Sequence, residues 1–187
     1  MNIQLNLWSI KKNIVLLLTI VLFNVHCRKD DCAKYYWGNV NSLKNGTPWT
    51  ANIRAGNDPR VAGKIYIMID KINSNCLIEE DLSFGNIPPA QGKYRLFRNN
   101  FSSQDPNKVY SDFTTLIGGD AICDRYDVIE ADSVNNYIQI DAFDAGSGKV
   151  SGIFSLKLLA IRLPKCDPSA PDTLLFSNGV FNTKVFN

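Results

Sequence analysis

The chain has 187 residues, 45% of them hydrophobic and 20% charged, and its 20 lysines and arginines nearly balance 18 aspartates and glutamates. That length suits one domain with a sizeable core. The charge balance excludes the concentrated basic surface that holds nucleic-acid phosphates, so nucleic acid is not an expected partner.

Two lysines, Lys11 and Lys12, precede an apolar run from Ile14 to Phe23. A cationic start leading into an apolar stretch of this length is how a secretory signal is built. The run is too short to span a bilayer, which takes about 20 predominantly apolar residues. It soon meets Asn24, His26 and the charged cluster Arg28, Lys29, Asp30 and Asp31. A cysteine, Cys27, stands where an ordinary signal peptide would have its small-residue cleavage site.

Leu22 to Asp31 resembles the processing site of a bacterial lipoprotein, and the resemblance implies that Cys27 becomes the acylated first residue of the mature chain. Arg28, Lys29, Asp30 and Asp31 resemble the Lys-Asp-Asp type signal that sends lipoproteins of the Bacteroidota to the outer cell surface. Each buried acyl methylene contributes about 0.8 kcal/mol, so a multiply acylated cysteine holds stably. The chain is therefore expected to meet the membrane through an N-terminal lipid at the outer membrane, displayed on the cell surface. The periplasmic face and secretion are the alternatives.

The expected organisation is a signal peptide over 1–26, a lipidated N-terminus and tether over 27–46, and a single all-β domain over 47–187. Removing the first 27 residues takes away Lys11 and Lys12 and no acid, which leaves 18 residues of each charge. Of the five cysteines, Cys27 is reserved for lipid, and Cys32, Cys76, Cys123 and Cys166 remain as an even set. Two disulfides are expected in an oxidising compartment, with all three connectivities open. No Cys-x-x-Cys pair is present, which disfavours a zinc knuckle or a thioredoxin-like site.

In chain order, the segment up to Gly46 mixes polar and aromatic residues without sustained period, as a tether leading into a first strand would. Trp49–Arg54 alternates, and Lys64–Asp70 is a β-branched and aromatic run bounded by Gly63 and the Asn73-Ser74-Asn75 turn. Cys76–Phe84 returns antiparallel and ends at Gly85-Asn86, after which Pro88 and Pro89 remove ladder donors. Tyr94–Phe97 is a short strand before a loop rich in turn-forming residues, Asn99–Asn107. Lys108–Ile117 and Ile122–Ala131 pair around Gly118-Gly119-Asp120.

Tyr137–Phe143 and Lys149–Arg162 pair through Asp144 to Gly148. Ile138, Ile140 and Ala142 share one face of the first, and Val150, Gly152, Phe154, Leu156 and Leu158 share a face of the second. A proline-rich loop containing Cys166 leads to Thr173–Phe186, a bent strand or short hairpin broken at Asn178-Gly179. No segment after Asp31 keeps a helical apolar stripe for three turns. The fold class is all-β, an antiparallel two-sheet sandwich of about eight to ten strands, with a lipocalin-like up-and-down barrel as the alternative.

A second resemblance covers most of the mature chain. It rests on the lipoprotein start, Gly46, Trp49 and Ala51 at the entry, Ile138, Ile140, Phe143 and Asp144, Val150 to Ser155, and Asn178 to Asn182. Together these are similar to small Bacteroidota lipoproteins with a β-rich domain of unknown function. The resemblance implies an exported β-domain and transfers no catalytic residue.

His26 is the only histidine and precedes the expected cleavage point. The mature chain therefore lacks histidine-based nucleophilic triads, His-ligated zinc and imidazole acid–base chemistry. Carboxylates remain: Glu79, Glu80 and Asp81 are consecutive on a strand, with Glu79 and Asp81 on one side and Glu80 on the other. A glycosidase pairs carboxyls about 5 to 10 Å apart, but a solvated face is the simpler reading of these three. Asp120, Asp124 and Asp127 lack calcium-loop spacing, and Gly146-Ser147-Gly148-Lys149 lacks phosphate-loop spacing and reads as a hairpin turn. No metal or other cofactor is expected.

Tyr35, Tyr36, Trp37 and Trp49, and Tyr94, Phe97 and Phe101, are the aromatic candidates for a sugar- or protein-binding patch. Asp132-Ser133-Val134 and Asp172-Thr173-Leu174 resemble Bacteroidota O-glycosylation sites. The expected function is a non-enzymatic binding or structural role toward a protein or glycan. A carrier of a small apolar ligand is the alternative, and a carboxylate-based hydrolase comes third.

Overall fold

The computed structural model describes residues 31–99, 105–161 and 164–186. The expected signal peptide, Cys27, and Lys29 and Asp30 of the export signal lie outside those residues, as does Phe101. Asp31 opens a short 3-10 helix, Asp31–Tyr35. The strands are β1 (Gly38–Lys44), β2 (Thr47–Asn57), β3 (Ile65–Ile72), β4 (Ile78–Ile87), β5 (Gly92–Arg98), β6 (Val109–Ile117), β7 (Ala121–Val128), β8 (Tyr137–Phe143), β9 (Lys149–Ala160) and β10 (Thr173–Phe186).

The fold is all-β, and the sheet begins earlier than the expected boundary at 47. β1 lies inside the segment read as a tether, bonded to β10 on one side and β2 on the other. Its apolar signal is short because only Val40 and Leu43 stand among Asn39, Asn41, Ser42 and Lys44. The turn into β2 is nevertheless well specified. Asn45 and Gly46 take φ of 51° and 78° between the paired residues Lys44 and Thr47, the two-residue hairpin that Asn-Gly favours.

All ten strands join in one hydrogen-bonded sheet, which is mixed and not wholly antiparallel as expected. Two local causes produce the parallel pairings. Pro88 and Pro89 carry no amide hydrogen to prolong the ladder, so the chain leaves β4, which pairs with β6, and β5 is delivered alongside β6 in parallel at Leu96–Arg98. β10 outruns β1 at its C-terminal end, and Val185 and Phe186 reach Ala55 and Gly56 of β2 in parallel. The pairings thereby run in a circuit, β2–β3–β4–β6–β7–β9–β10 and back to β2. Few ladder edges are left for unwanted strand addition.

β10 is a bent strand and not a hairpin: its register shifts between Phe176 and Gly179, where Asn178 takes φ 54°. The shift lets alternate residues stay on the core face from Leu174 to Val185. β8 and β9 bury the faces read from their alternation at Ile138 and Ile140 and at Val150, Gly152, Phe154, Leu156 and Leu158, whereas Ala142, read on the same face as Ile138 and Ile140, is exposed because the register of β8 on β9 shifts between Ile140 and Ala142.

Aromatic rings fill the centre. Trp49 meets Phe176 edge-on at 5.0 Å between centroids, Phe176 meets Phe113 at 5.4 Å, and Phe113 meets Tyr126 at 5.8 Å. Phe84 packs on Phe154 at 5.4 Å, and Phe154 on Phe181 at 6.5 Å. Such pairs contribute about 0.5–1.5 kcal/mol each beyond their buried area. The polar ends of two rings are satisfied: Trp49 Nε1 donates to Glu80 at 2.6 Å and the Tyr126 hydroxyl donates to the Pro171 carbonyl at 3.0 Å.

The four cysteines among the described residues are bonded. Cys123 on β7 is bonded to Cys166 in the loop before β10, with Cα atoms 5.2 Å apart. Cys32 and Cys76 are disulfide-bonded as well. Of the three connectivities left open by the sequence, spacing favours none, since the pairing depends on β7 lying beside that loop.

Candidate functional site

β9 and β10 carry a row of polar residues on the face away from the core. Val150, Gly152, Phe181, Thr183 and Val185 are buried, so the intervening Lys149 and Ser151 on β9 and Asn182 and Lys184 on β10 point the other way. The register sets Ser151 opposite Asn182 and Lys149 opposite Lys184. Asn182 is fixed by donating through Nδ2 to Asn39 Oδ1 at 2.7 Å.

Trp37 is placed over the end of this row. Its amide donates to the Ile53 carbonyl at 2.9 Å, and Gly38 next to it takes φ 102°. A side chain at Gly38 would collide with the carbonyl oxygen of Asn182; the glycine therefore lets the backbone close onto β10 and present the Trp37 ring. The ring remains 52% exposed, edge-on to Phe186 at 6.4 Å, with Lys184 Nζ 5.5 Å from its centre.

Trp37 forms one wall of a groove of about 530 Å³, with Ala142, Phe143 and Val150 as apolar lining and Lys149, Asn182 and Lys184 as polar lining. A second groove of about 410 Å³ shares Phe143 and Lys184 and adds Phe186 and Lys64. Asp144 is the acid in the first groove. Its carboxylate is drawn into the β8–β9 turn, accepting from the Ser147 hydroxyl at 2.6 Å and the Gly146 amide at 2.9 Å. Those hydrogen bonds, the hydroxyl's foremost, hold it below the usual carboxylate range. An aromatic plane beside amide, hydroxyl and ammonium groups can stack on one face of a ligand while hydrogen-bonding its rim.

The second candidate is a row of carboxylates on β3, β4, β6 and β7. Asp70 faces Asp81 across β3 and β4, Ser83 faces Asp112 across β4 and β6, and Asp112 faces Asp127 across β6 and β7. Asp70 accepts from the Tyr36 hydroxyl at 2.9 Å and pairs with Arg54 at 3.2 Å. Burial raises its pKa in spite of Arg54. Asp112 accepts from Ser83 at 2.5 Å and Asn99 at 3.0 Å, and Arg125 lies 3.5 Å away. Asp127 sits between Arg98 and Arg125, with burial again pushing its pKa up.

Asp81 differs from these. Burial first, then the negative charges of Asp70 and Asp112, push its pKa up to about 7. With Asp112, Ser83, Tyr66, Met68 and Ile122 it lines a groove of about 440 Å³.

The other sequence candidates are dispersed. Glu79 is exposed, whereas Glu80 turns inward as a structural acceptor for Trp49 and Lys44, so the three consecutive acids do not form one solvated face. Asp124 is buried and accepts the amides of Cys166 at 2.7 Å and Asp167 at 3.3 Å. Asp120 is exposed and Asp127 is ion-paired. Among the described residues no group of three or more His, Cys, Asp or Glu could hold a metal ion. Gly146-Ser147-Gly148 is the turn between β8 and β9, closed by the Gly148 amide donating to the Asp144 carbonyl.

Of the aromatics, Trp49 is core, Tyr36 serves Asp70, and Tyr94 donates to the Ala90 carbonyl at 2.9 Å. Phe97 lies under Arg95 and Lys108, Tyr35 is exposed, and Trp37 alone of these described aromatics lines the groove beside β10. Lys184 and Phe186 carry no mark of a site in the sequence, Lys149 stands there only beside a turn without phosphate-loop spacing, and Phe143 only within the resemblance; the alternation of β9 and β10 contains the signal, but the register that pairs them exists only once the strands are aligned. No protein-family model, curated protein or solved structure matches this chain.

Proposed function

We propose that the chain is a lipid-anchored β-domain displayed at the outer membrane surface, and that it binds a glycan in the Trp37 groove without transforming it. The observation that carries this reading is the half-exposed Trp37 ring at the wall of a groove rimmed by Asn182, Ser151 and two lysines. Trp37 stands beside Phe143 and Phe186 along the two grooves, and contiguous exposed apolar surface rimmed by polar residues marks ligand-binding grooves; a groove of about 530 Å³ falls in the range of ligand sites, about 300–1,000 Å³. The ring-filled interior favours a surface groove over an enclosed apolar ligand as the place of binding. Disulfides at Cys32, Cys76, Cys123 and Cys166 suit a compartment outside the cytoplasm.

Two measurements test the halves of the proposal. Metabolic labelling with a palmitate analogue is expected to mark the wild-type protein and not Cys27→Ala; equal labelling of both would remove the anchor. Affinity electrophoresis of the purified protein through a panel of polysaccharides is expected to retard wild type, and Trp37→Ala is expected to lose at least about tenfold in affinity, the loss of a tryptophan hot spot. Equal mobility of the two in every polysaccharide would remove the groove.

A carboxylate hydrolase is the second reading, favoured by Asp81. Its pKa of about 7 keeps a substantial fraction of the carboxyl protonated near neutral pH, with a second carboxyl, Asp112, in the same groove. A carboxyl pair with one member held protonated is what glycoside hydrolysis uses. Release of reducing ends by wild type and not by Asp81→Asn would favour it.

A further inference from the structure

The charge pattern around Trp37 narrows the ligand. Lys149 and Lys184 are directly opposed on β9 and β10, and like charges in that position destabilise a sheet. Among the described residues no salt bridge within 4 Å involves either ammonium; Lys149 acts on Asp144 only at longer range, and Lys184 lies over the Trp37 ring. The acid nearby, Asp144, accepts hydrogen bonds within the β8–β9 turn and stays ionised, with Lys149 among the charges that favour its carboxylate, so Lys184 is the ammonium farther from a counter-charge. Lys64 lines the second groove, which shares Phe143 and Lys184 with the first, so the two grooves together carry three lysines beside Trp37, Phe143 and Phe186.

Thr183, opposite Gly38 and Val150, is 6% exposed, and its buried hydroxyl has no hydrogen-bond partner. It is one of the residues lining the Trp37 groove. Buried hydroxyls are normally paired, but Thr183 belongs to the core face of β10 and Lys149 and Lys184 to the opposite one, so the opposed ammonium groups, and not this hydroxyl, are what an occupant of the groove would meet.

We propose that the glycan bound in the Trp37 groove is anionic, its carboxylate or sulfate groups lying on Lys149 and Lys184 while a sugar face stacks on Trp37. This rests on the glycan reading of the groove and adds the charge of the ligand to it. Two adjoining grooves sharing Lys184 fit an extended chain better than a single sugar. Uronate and sulfate share the chemistry the lysines recognise, and the experiment separates them.

The test uses the full-length protein in neutral detergent, with polygalacturonate, chondroitin sulfate and uncharged pullulan as immobilised probes. Wild type is expected to bind polygalacturonate or chondroitin sulfate, the tighter of the two identifying the anionic group, and to lose affinity as salt is raised. Lys149→Gln/Lys184→Gln is expected to bind at least about tenfold more weakly, a loss of about 1.4 kcal/mol, and with a flatter salt dependence. Removing a like-charge pair leaves the fold at least as stable, so its melting temperature should not fall below that of wild type. Lys108→Gln/Lys157→Gln, outside the residues lining either groove, should bind as wild type does; an equal loss there would mean unspecific attraction and overturn the proposal. Pullulan bound as tightly as the anionic polymers, with the Lys149/Lys184 variant unaffected, would leave the glycan reading standing and overturn the anionic one. Binding to phosphatidylglycerol vesicles and to none of the three polymers would overturn both.

Discussion

The Cys123–Cys166 bond is where a stability estimate can be worked from connectivity. The two residues are 43 apart in sequence, and closing a loop of that length removes denatured-state entropy equivalent to about 4 kcal/mol at 25 °C. The native contacts around the bond do not run through its sulfurs. Asp124 holds the amides of Cys166 and Asp167, the Tyr126 hydroxyl donates to Pro171, and Lys165 pairs with Asp172 at 2.8 Å. Removing the bond therefore acts mainly on the denatured chain. Cys123→Ala/Cys166→Ala, chosen because serine would bury a hydroxyl at Cys123, is expected to keep the wild-type circular dichroism and lose about 4 kcal/mol in urea unfolding. With a urea slope of about 2 kcal/mol/M that is a midpoint lower by about 2 M, and the slope itself should rise because the uncrosslinked chain expands further. A loss below about 1 kcal/mol with unchanged slope would refute the entropic account.

Two single residues give further outcomes. Asp81 has a folded-state pKa raised to about 7 above an unfolded value of about 3.9, so between those pH values the folded chain holds a proton that the unfolded chain has released. Stability from this group is full below about pH 4 and falls as pH rises toward 7, by no more than about 1.4 kcal/mol per pH unit; Asp81→Asn should flatten that decline in a thermal-melt series, and an unchanged profile would place the titration elsewhere. In β9, a methyl group at Gly152 would collide with the Gln139 carbonyl and press on the Phe181 ring, so Gly152→Ala is expected to lose about 3 kcal/mol or more, at the upper end of overpacked core sites. A Gly152→Ala protein with wild-type urea midpoint would contradict the packing described for β8, β9 and β10.

The strands are legible in the sequence where alternation is strong. β8 and β9 show it clearly, with Ile138 and Ile140, and Val150, Gly152, Phe154, Leu156 and Leu158, on the buried face, although Ala142 at the end of β8 leaves it where the register shifts. β1 is not legible, because a seven-residue strand in which asparagine, serine and lysine outnumber Val40 and Leu43 looks like a tether until β2 and β10 flank it. The parallel pairings escape for a different reason: they depend on where Pro88 sends the chain and on how far β10 outruns β1, both properties of the assembled sheet. Trp37 stands among the aromatic candidates, but its exposure is decided by Gly38 closing onto Asn182. The Lys149–Lys184 opposition and the burial of Asp81 beside Asp70 likewise come from register, which consecutive residues do not encode.

Binding in the Trp37 groove is tested most directly by tracking the indole N–H resonances of the protein during titration with trigalacturonate and with maltotriose, Trp37 being assigned through Trp37→Phe. The half-exposed Trp37 should shift progressively with at least one of the two sugars, while the buried Trp49, bonded to Glu80, should hold its position. A shift of Trp49 with Trp37 unmoved would put the ligand in the interior, and no shift of Trp37 with either sugar would contradict a glycan-binding groove.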